Sequence, residues 1–381
     1  MKKLKSVALT GIALALAGIA DSSRAQSSVT FFGMLDEGVN FTNNAGGKSA
    51  WQMASIDLIT SRWGMKGTED LGGGLSAIFD LESGFNMESG TAGYGGRLFG
   101  YQSYVGLQDS RFGTLTFGRQ FDTVVDILGP LTANSNWAGY LFAHPLDNDN
   151  TDATFHTSNA IKYTSGTYAG LSGTALYGFS NQAGAFAQNR VYSVGLNYTY
   201  QTLTIGAAYE DLSGPGTTAA GSVAGDDMGF SAQRQKIWGV GANYGIGPVV
   251  MGAVYTHTNI DQPSASGYVG DLPVAGLRFD NAEFNIKYNV TPALFFGGMY
   301  TYTRAEVQQA AGNAAPHWNE VGLMAQYNLS KRTAIYGQCV YQKTSGGTSG
   351  TVLDYAFIPG SAGVSSNAHQ VIGRVAITHS F

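Results

Sequence analysis

Apolar and polar residues alternate along most of this chain, with the apolar side chains spaced two residues apart. In one stretch Ala77, Phe79 and Leu81 fall on one face, while Asp80 and Glu82 fall on the other. A period of two residues is typical of β-strands, whose successive side chains point to opposite sides of a sheet. The alternation therefore predicts an all-β protein whose strands each have an apolar face and a polar or small face.

Such segments recur over the whole length of the chain and are separated by stretches rich in Gly, Ser, Asn and Ala. Sixteen of them are visible, at about 29–42, 52–67, 73–86, 97–108, 113–121, 157–165, 170–180, 191–201, 202–211, 235–245, 248–258, 278–289, 293–304, 318–328, 332–343 and 369–381. Any single segment would also fit a β-sandwich, but an even number of repeated amphipathic strands is typical of a transmembrane β-barrel. Barrels of 16 to 18 strands enclose an aqueous channel. We therefore predict a 16-stranded antiparallel transmembrane barrel.

The connections between the segments alternate between short and long. Residues 71–74 form a short connection, whereas 43–50, 212–234 and 259–277 form longer ones. This alternation is expected of a barrel with tight turns at one end and larger solvated loops at the other.

The connection at residues 122–156 differs from the other loops because it contains large apolar side chains, including Trp137 and Phe142. Long connections in compact folds are usually functional. Apolar side chains gain free energy when they leave water, and inside a wide barrel the surface available to them is the inner wall. We predict that this loop folds into the barrel.

The N-terminal residues 1–25 have the organisation of an export signal. Three lysines precede an apolar stretch from Val7 to Ala20, and Ser23-Arg24-Ala25 supplies a small-x-small cleavage site. The apolar stretch is too short for a spanning helix. We therefore predict an exported protein that is cleaved after Ala25, with residues 26–381 forming the barrel.

Composition narrows the classes of partner and of stabilising chemistry. The only cysteine, Cys339, excludes an intramolecular disulfide, and we interpret it as a small packing residue. A formal net charge of −5 argues against a nucleic-acid partner, which requires a basic surface. The same charge is compatible with an acidic channel.

Motifs for catalysis or for resident cofactors are missing from the sequence. It has no Gly-x-Ser-x-Gly or His-Glu-x-x-His motif, and residues 46–49 lack the upstream glycine of a phosphate-binding loop. The run from Asp147 to Asp152 spaces its oxygens like a calcium loop but lacks that loop's glycine and glutamate. We predict neither enzyme activity, nor a cofactor, nor a metal. A barrel lipase or protease and a purely structural surface barrel remain the alternatives.

Several motifs of the chain resemble those of the general porins of Gram-negative outer membranes. The matching stretches are SRWGMKGTEDLG at 61–72, GRLF at 96–99, YVGL at 104–107, FGTLTFGRQ at 112–120 and the terminal Phe381. The resemblance implies a homotrimer in outer-membrane lipid that lets ions and small hydrophilic solutes diffuse passively. It also implies that the barrel-assembly machinery inserts the chain and reads Phe381 as an assembly signal.

In that family the third loop sets a constriction at which acids of the loop face basic residues of the wall. The resemblance implies that residues 122–156 take this role, with a constriction formed by Arg62, Arg97, Tyr101, Asp126, Asp147, Asp149, Asp152 and His156. The strand period adds Glu82, which shares a face with Asp80 and lies either in the channel or at its rim. The strand period also places Arg62 toward the channel, because an arginine facing lipid costs about 2–4 kcal/mol at mid-depth. Arg97 and Tyr101 share their period with apolar Val105 and Leu107, so the strand period does not place them in the channel. Their assignment to the constriction rests on the resemblance alone.

The charge at this constriction predicts the ion preference. Many relatives carry arginine at the positions of Tyr101 and His156, so the basic side is weaker here. We predict a weak preference for cations that shifts toward anions as the pH falls, because His156 becomes charged and the carboxylates take up protons. Strong anion selectivity would instead indicate that Arg97, Arg119 or lysines of the loops supply the positive charge.

Overall fold

The strands of this protein close into one barrel. The computed structural model describes residues 28–227 and 229–381, so the predicted export signal lies outside the described residues. Neighbouring strands pair in antiparallel fashion, and the first strand also pairs with the last. The sheet contains 17 strand segments, two of which continue one another along the same partner strand. The predicted 16-stranded antiparallel barrel is therefore confirmed.

The barrel strands are named here in chain order. They are β1 Ser28–Ala45, β2a Lys48–Ser55, β2b Arg62–Gly72, β3 Leu75–Gly84, β4 Gln102–Asp109, β5 Gly113–Gln120, β6 Thr157–Thr164, β7 Leu171–Gly178, β8 Arg190–Tyr200, β9 Leu203–Ser213, β10 Arg234–Ile246, β11 Val249–Asp261, β12 Gly276–Asn289, β13 Leu294–Gln308, β14 His317–Asn328, β15 Thr333–Ser345 and β16 His369–Ser380. Three two-residue strands, Phe230–Ser231, Ala265–Ser266 and Gly270–Asp271, form a separate small sheet among the loops.

Within residues 28–227 and 229–381, helical structure is confined to the loops. The α-helix α1 spans Thr123–Ile127, and 3-10 turns cover Tyr94–Gly96, Gly129–Leu131, Tyr140–Phe142, Pro145–Asp147 and Val352–Asp354, with a π turn at Asn134–Ala138. No helix in the described part of the chain is both long and apolar enough to cross a membrane.

Each strand presents different side chains to the two faces of the wall. On β14, Val321 and Leu323 are exposed on the outside, whereas Glu320 and Met324 point inward and are buried. The outer surface therefore carries apolar side chains that lipid can cover, and the polar residues between them face the interior.

The second strand of the barrel is interrupted, which the sequence pattern did not predict. A single strand at 52–67 was expected, but residues 56–61 leave the sheet between β2a and β2b. Both halves still pair with β1, through Glu37 opposite Ser55 and Met34 opposite Arg62. The expected continuous strand is wrong because the excursion is stabilised by contacts with distant parts of the chain.

Three smaller expectations also need correction. Strand β4 begins at Gln102 rather than at 97, so Arg97 and Tyr101 precede the strand and its two-residue period does not apply to them. The predicted loop at 43–50 is mostly strand, because β1 and β2a are joined by a tight turn. Cys339 is exposed on the outward face of β15, so it is not an interior packing residue.

The loop between β5 and β6, residues 121–156 and here named L3, folds into the barrel as predicted. Its first half packs Val124, Leu128 and Leu131 on inward side chains of β6 to β11. Its second half packs Trp137 and Phe142 on β13 to β16. L3 therefore covers the inner wall from β6 round to β16.

Two inward glycines of the wall make room for the aromatic side chains of L3. A β-carbon on Gly297 would lie 2.3 Å from the Trp137 ring, and one on Gly322 would lie 2.2 Å from the Phe142 ring. No real β-carbon tolerates such a distance. Glycine at these positions thus allows the loop to lie directly against the backbone of β13 and β14.

Candidate channel constriction

The part of the inner wall formed by strands β2b to β5 is not covered by L3 and lies across the barrel from it. On this wall Arg62 begins β2b, and its Nε donates a hydrogen bond to the Glu82 carboxylate of β3. The Arg62 Nη1 donates to the Thr60 carbonyl oxygen at 3.0 Å. Its guanidinium carbon lies 4.4 Å from the centroid of the Tyr101 ring. The structure therefore brings three of the predicted residues together, but as a compensated ion pair against an aromatic ring.

His156 occupies an aromatic enclosure behind this pair. Its ring centroid lies 5.2 Å from that of Tyr101, 5.0 Å from that of Tyr94 and 4.9 Å from that of Phe121. The side chain is buried, and neither ring nitrogen has a hydrogen-bond partner among the residues that the structure describes. Burial, reinforced by the positive charges of Arg119 and other nearby arginines, lowers the pKa of His156 well below its ordinary value.

Two arginines near this enclosure bind acids of another loop. We name residues 85–101, between β3 and β4, L2, and residues 214–233, between β9 and β10, L5. Arg97 of L2 donates from Nη2 to Asp226 of L5 at 2.7 Å. Arg119, the last residue but one of β5, donates to both carboxylate oxygens of Asp227, at 2.6 and 3.2 Å. These two pairs connect L5 to L2 and to the wall beside L3.

Asp126, one of the predicted loop acids, is also paired. It lies in α1, whose first turn is capped by the Asp122 carboxylate, and accepts a hydrogen bond from Lys162 Nζ of β6 at 2.8 Å. The lysine also donates to the carbonyl oxygen of Phe121. This pair fastens the start of L3 to the wall.

Asp149 lies beneath L3 and does not face the channel. It has no exposed surface, and it accepts hydrogen bonds from His144 Nδ1 at 2.7 Å and from the Thr256 hydroxyl. The other ring nitrogen of His144 lies 3.1 Å from Glu283 of β12. Burial alone would lower the pKa of His144, but the carboxylates of Asp149 and Glu283 raise it well above its ordinary value. The expectation of a channel-facing acid at Asp149 is therefore wrong, because this carboxylate binds a buried imidazolium.

Asp147 and Asp152 have no cationic partner among the described residues. Asp147 accepts backbone N–H bonds from Asp152 at 3.1 Å and from Thr154 at 3.2 Å. Burial and the charge of Asp149 raise the pKa of Asp147 to about 7. Burial and the charge of Asp147 raise the pKa of Asp152 well above its ordinary value.

The run of acids from Asp147 to Asp152 does not converge on one point as the ligands of a metal ion would. Within residues 28–227 and 229–381, no group of three or more His, Cys, Asp or Glu side chains converges as metal ligands would. Asp147 and Asp149 direct their oxygens at backbone and side-chain donors of the protein itself. The spacing of these acids in sequence therefore serves hydrogen bonds within the loop and not the binding of a calcium ion.

A buried cluster on the opposite side of L3 was missed at the level of sequence. Arg374 of β16, which has no exposed side-chain surface, donates to Asp36 at 3.1 Å and to Asp57 at 2.8 Å. Asp57 belongs to the excursion that interrupts β2, and its carbonyl oxygen accepts the Tyr140 N–H at 2.6 Å. The signal in the sequence was an arginine on the inward-facing side of the last strand, two residues from Ile372 and from Ala376.

Comparison with known proteins fits this architecture. The model of the Gram-negative porin family matches residues 8–347 of the chain. The chain belongs to the Gram-negative porins. It is 29% identical over 368 residues to an outer membrane porin protein of Bordetella pertussis, covering 86% of this chain and 92% of that one. It is 28% identical over 405 residues to outer membrane porin protein 32 of Delftia acidovorans, covering 97% and 99%.

Solved structures show the same fold at lower identity. The anion-selective porin from Comamonas acidovorans superposes with a TM-score of 0.73 at 23% identity, over 93% of this chain and all of that one. A trimer form of OmpT from Vibrio cholerae superposes with a TM-score of 0.67 at 16% identity, over 93% of this chain and 99% of that one. This porin is therefore an outer-membrane barrel through which ions and small hydrophilic solutes diffuse passively.

Proposed function

We propose that ions cross this porin between L3 and the wall from β2b to β5, with a weak preference for cations at neutral pH. The pairing of charges supports this preference. We call the space between L3 and this wall the narrowing. Each arginine at the narrowing binds a carboxylate, in the pairs Arg62–Glu82, Arg97–Asp226 and Arg119–Asp227. On the wall, Lys66 lies directly opposite Asp80 in the ladder of β2b and β3.

Once these pairs cancel, the acids of L3 set the sign of the electrostatic field at the narrowing. Asp147 and Asp152 have no cation beside them in the described chain, so whatever negative charge they carry is uncompensated. Charges act on passing ions within roughly a Debye length, about 8 Å at physiological salt. Because burial and a neighbouring carboxylate raise the pKa of both acids, to about 7 for Asp147, their charged forms are disfavoured and the preference for cations is weak.

His156 has a smaller role in this proposal than the sequence led us to expect. A shift toward anions at low pH is expected from protonation of His156 together with the carboxylates, but burial and the neighbouring arginines lower the pKa of His156 and so disfavour its charged form. The pH response of the channel therefore rests on the carboxylates of L3.

Single-channel recording in a planar bilayer tests the proposal. In a potassium chloride gradient at pH 7, the reversal potential should have the sign of a modest cation preference. Strong anion selectivity at this pH would contradict it and would mean that one of the arginine pairs is open in the membrane. Absence of conductance would contradict the channel itself.

We infer that the porin assembles as a homotrimer in outer-membrane lipid. The solved trimer form of the Vibrio cholerae neighbour and the apolar outer surface of the barrel both support this. The unheated protein should migrate in detergent gels as a species of three chains that dissociates on heating. A single-chain mass by light scattering under the same conditions would contradict the inference.

We also infer that Phe381 is read by the barrel-assembly machinery. Its backbone N–H donates to Gly33 at 3.0 Å and its carbonyl accepts the Gly33 N–H at 3.2 Å, so the last residue closes the seam with β1. Its ring lies 6.0 Å from that of Phe31 on the outer surface. Deleting Phe381 should reduce the folded barrel in the membrane, whereas Phe381→Tyr should retain it. Undiminished heat-modifiable trimer after the deletion would contradict this role.

Export and the absence of catalysis complete the proposal. Cleavage after Ala25 predicts a mature chain that begins at Gln26, which N-terminal sequencing of the membrane protein would show. A barrel lipase or protease would hydrolyse ester or peptide substrates, and we expect none. Hydrolysis that survives purification and is lost with a single Ser or His substitution would contradict this.

A further inference from the structure

A cavity of about 370 Å³ lies beside the narrowing, between L2, Tyr140 and residues 152–154 of L3, and the loops at the mouth of the barrel. Its lining includes four tyrosines, Tyr94, Tyr101, Tyr140 and Tyr268, together with the carboxylate of Asp152. Tyr268 belongs to the loop at 262–275, which we name L6. This volume is within the range of about 300–1,000 Å³ that holds small organic molecules.

We propose that this cavity binds small organic cations in which an ammonium group is carried on an aromatic ring, and that such solutes occupy it on their way through the channel. This rests on the proposed ion path and names a class of solute for it. The aromatic walls and the balance of charge both favour this class.

The tyrosines provide flat apolar surfaces that are fixed by hydrogen bonds. The rings of Tyr140 and Tyr268 are stacked with their centroids 6.1 Å apart and an angle of 24° between them. The Tyr268 hydroxyl bonds that of Thr154 at 2.6 Å, and the Tyr140 N–H donates to Asp57. An aromatic solute can stack or pack edge-on against such rings at little cost in side-chain entropy.

One of these rings already binds a cation within the protein. The guanidinium of Arg62 lies over the Tyr101 ring at 4.4 Å, within the distance of about 6 Å at which a cation is attracted by an aromatic face. The Arg62 charge is compensated by Glu82, so it does not exclude a second cation from the remaining surfaces.

The charged groups around the cavity also favour a cation. In the described residues its lining contains no Lys, Arg or His, but it contains three acids. Asp226 and Asp227 are paired with arginines that approach them from outside the lining, whereas Asp152 has no cationic partner. The carboxylate of Asp147, which has no cation beside it among the described residues, repels that of Asp152, whereas Asp149 and Asp57 are compensated by His144 and Arg374. A bound ammonium would relieve that repulsion.

Block of the potassium chloride current tests the proposal on the intact porin. Phenethylammonium added from the side of the long loops should reduce the single-channel current at lower concentration than phenylethanol or phenylacetate, which have the same ring without the positive charge. It should also act at lower concentration than ethylammonium, which has the charge without the ring.

Two variants assign the block to this cavity. Tyr268→Leu should raise the half-blocking concentration of phenethylammonium about 5- to 30-fold, the usual range for a partly to fully desolvated cation–π contact. Asp152→Asn should raise it while leaving the weak block by phenylethanol unchanged. The matched control, Tyr327→Leu on the exposed outer face of β14, should not change the block.

The outcomes separate this proposal from the proposed ion path. Normal potassium chloride current with equal block by phenethylammonium, phenylethanol and ethylammonium would overturn the cation site and leave the channel intact. Preferential block that persists unchanged in both Tyr268→Leu and Asp152→Asn would also overturn it, because the cation would then bind elsewhere. Loss of all current in the unmodified protein would instead contradict the ion path itself.

Discussion

Tyr140 and Asp57 join the tip of L3 to the interruption of the second strand: the Tyr140 N–H donates to the Asp57 carbonyl oxygen at 2.6 Å. The side chain of Asp57 is held in turn by Arg374 and by the Asn40 amide. The constriction loop is thus fastened at one side by Lys162 and Asp126 and at the other by a buried arginine of the last strand.

Replacing Arg374 should loosen this fastening. Arg374→Met leaves Asp36 and Asp57 buried without a cation, and breaking a buried pair in this way costs about 3–5 kcal/mol. We expect a lower thermal midpoint for the folded barrel and larger current fluctuations in single channels. Arg332→Met, at an exposed turn, should change stability by less than about 0.5 kcal/mol. Equal midpoints for the two variants would contradict the role of the cluster.

Removing the charge of Glu82 should shift the ion preference toward anions. Glu82→Gln leaves the Arg62 charge uncompensated at the narrowing. A unit charge at 4 Å from an ion in water contributes about 1 kcal/mol, which is about a fivefold change in relative permeability. The reversal potential in a potassium chloride gradient measures it.

The control for this variant is Asp271→Asn, which removes an acid from an exposed loop position. It should leave the reversal potential unchanged, and Arg62→Gln should shift it in the cation direction. If Glu82→Gln behaves like the control, the Arg62–Glu82 pair lies outside the ion path.

The pH dependence should follow the acids of L3. The pKa of Asp147 is raised to about 7, so its negative charge develops as the pH rises from 5 to 8 and the preference for cations should increase. Asp147→Asn should weaken this increase, whereas His156→Gln should retain it because burial and the neighbouring arginines disfavour the charged form of His156. A profile abolished by His156→Gln would contradict the burial argument.

The same shift predicts how the stability of L3 changes with pH. A carboxyl group whose pKa is raised on folding stabilises the folded state fully below its unfolded value near 3.8, and this contribution is lost as the pH rises through about 7. Protease nicking within L3 should therefore be slower at pH 5 than at pH 8. Asp147→Asn should reduce the difference between the two pH values.

Alternation in the sequence predicted the strands because lipid and channel impose opposite chemistry on the two faces of each strand. It succeeded for strands such as β8 and β14, whose register is regular. It failed at residues 56–61, where Ile56 has a φ of 75° and the excursion depends on Arg374, more than 300 residues away. No local pattern encodes such a contact.

The sequence predicted which residues lie at the candidate site better than it predicted how their charges are paired. Arg62 and Glu82 follow from the strand period, but their mutual pairing requires the register of two strands. Arg119 would face outward by simple alternation, yet an irregularity of the β5–β6 ladder at Gly118 accompanies its contacts with Asp227. Ion preference depends on these pairings, so it is the property that the sequence defines least.

Cysteine labelling should distinguish the residues of L3 that face the channel from those beneath it. In a Cys339→Ser background, Thr154→Cys places a thiol in the lining of the cavity, and a charged thiol reagent should then reduce the single-channel current. Asp149→Cys should react much more slowly, because position 149 has no exposed surface. Asp271→Cys in L6 is the control for labelling outside the ion path, and its modification should leave the current unchanged. Equal reaction at 149 and 154 would mean that L3 leaves the wall in the membrane, and modification at 154 without loss of current would place the ion path elsewhere.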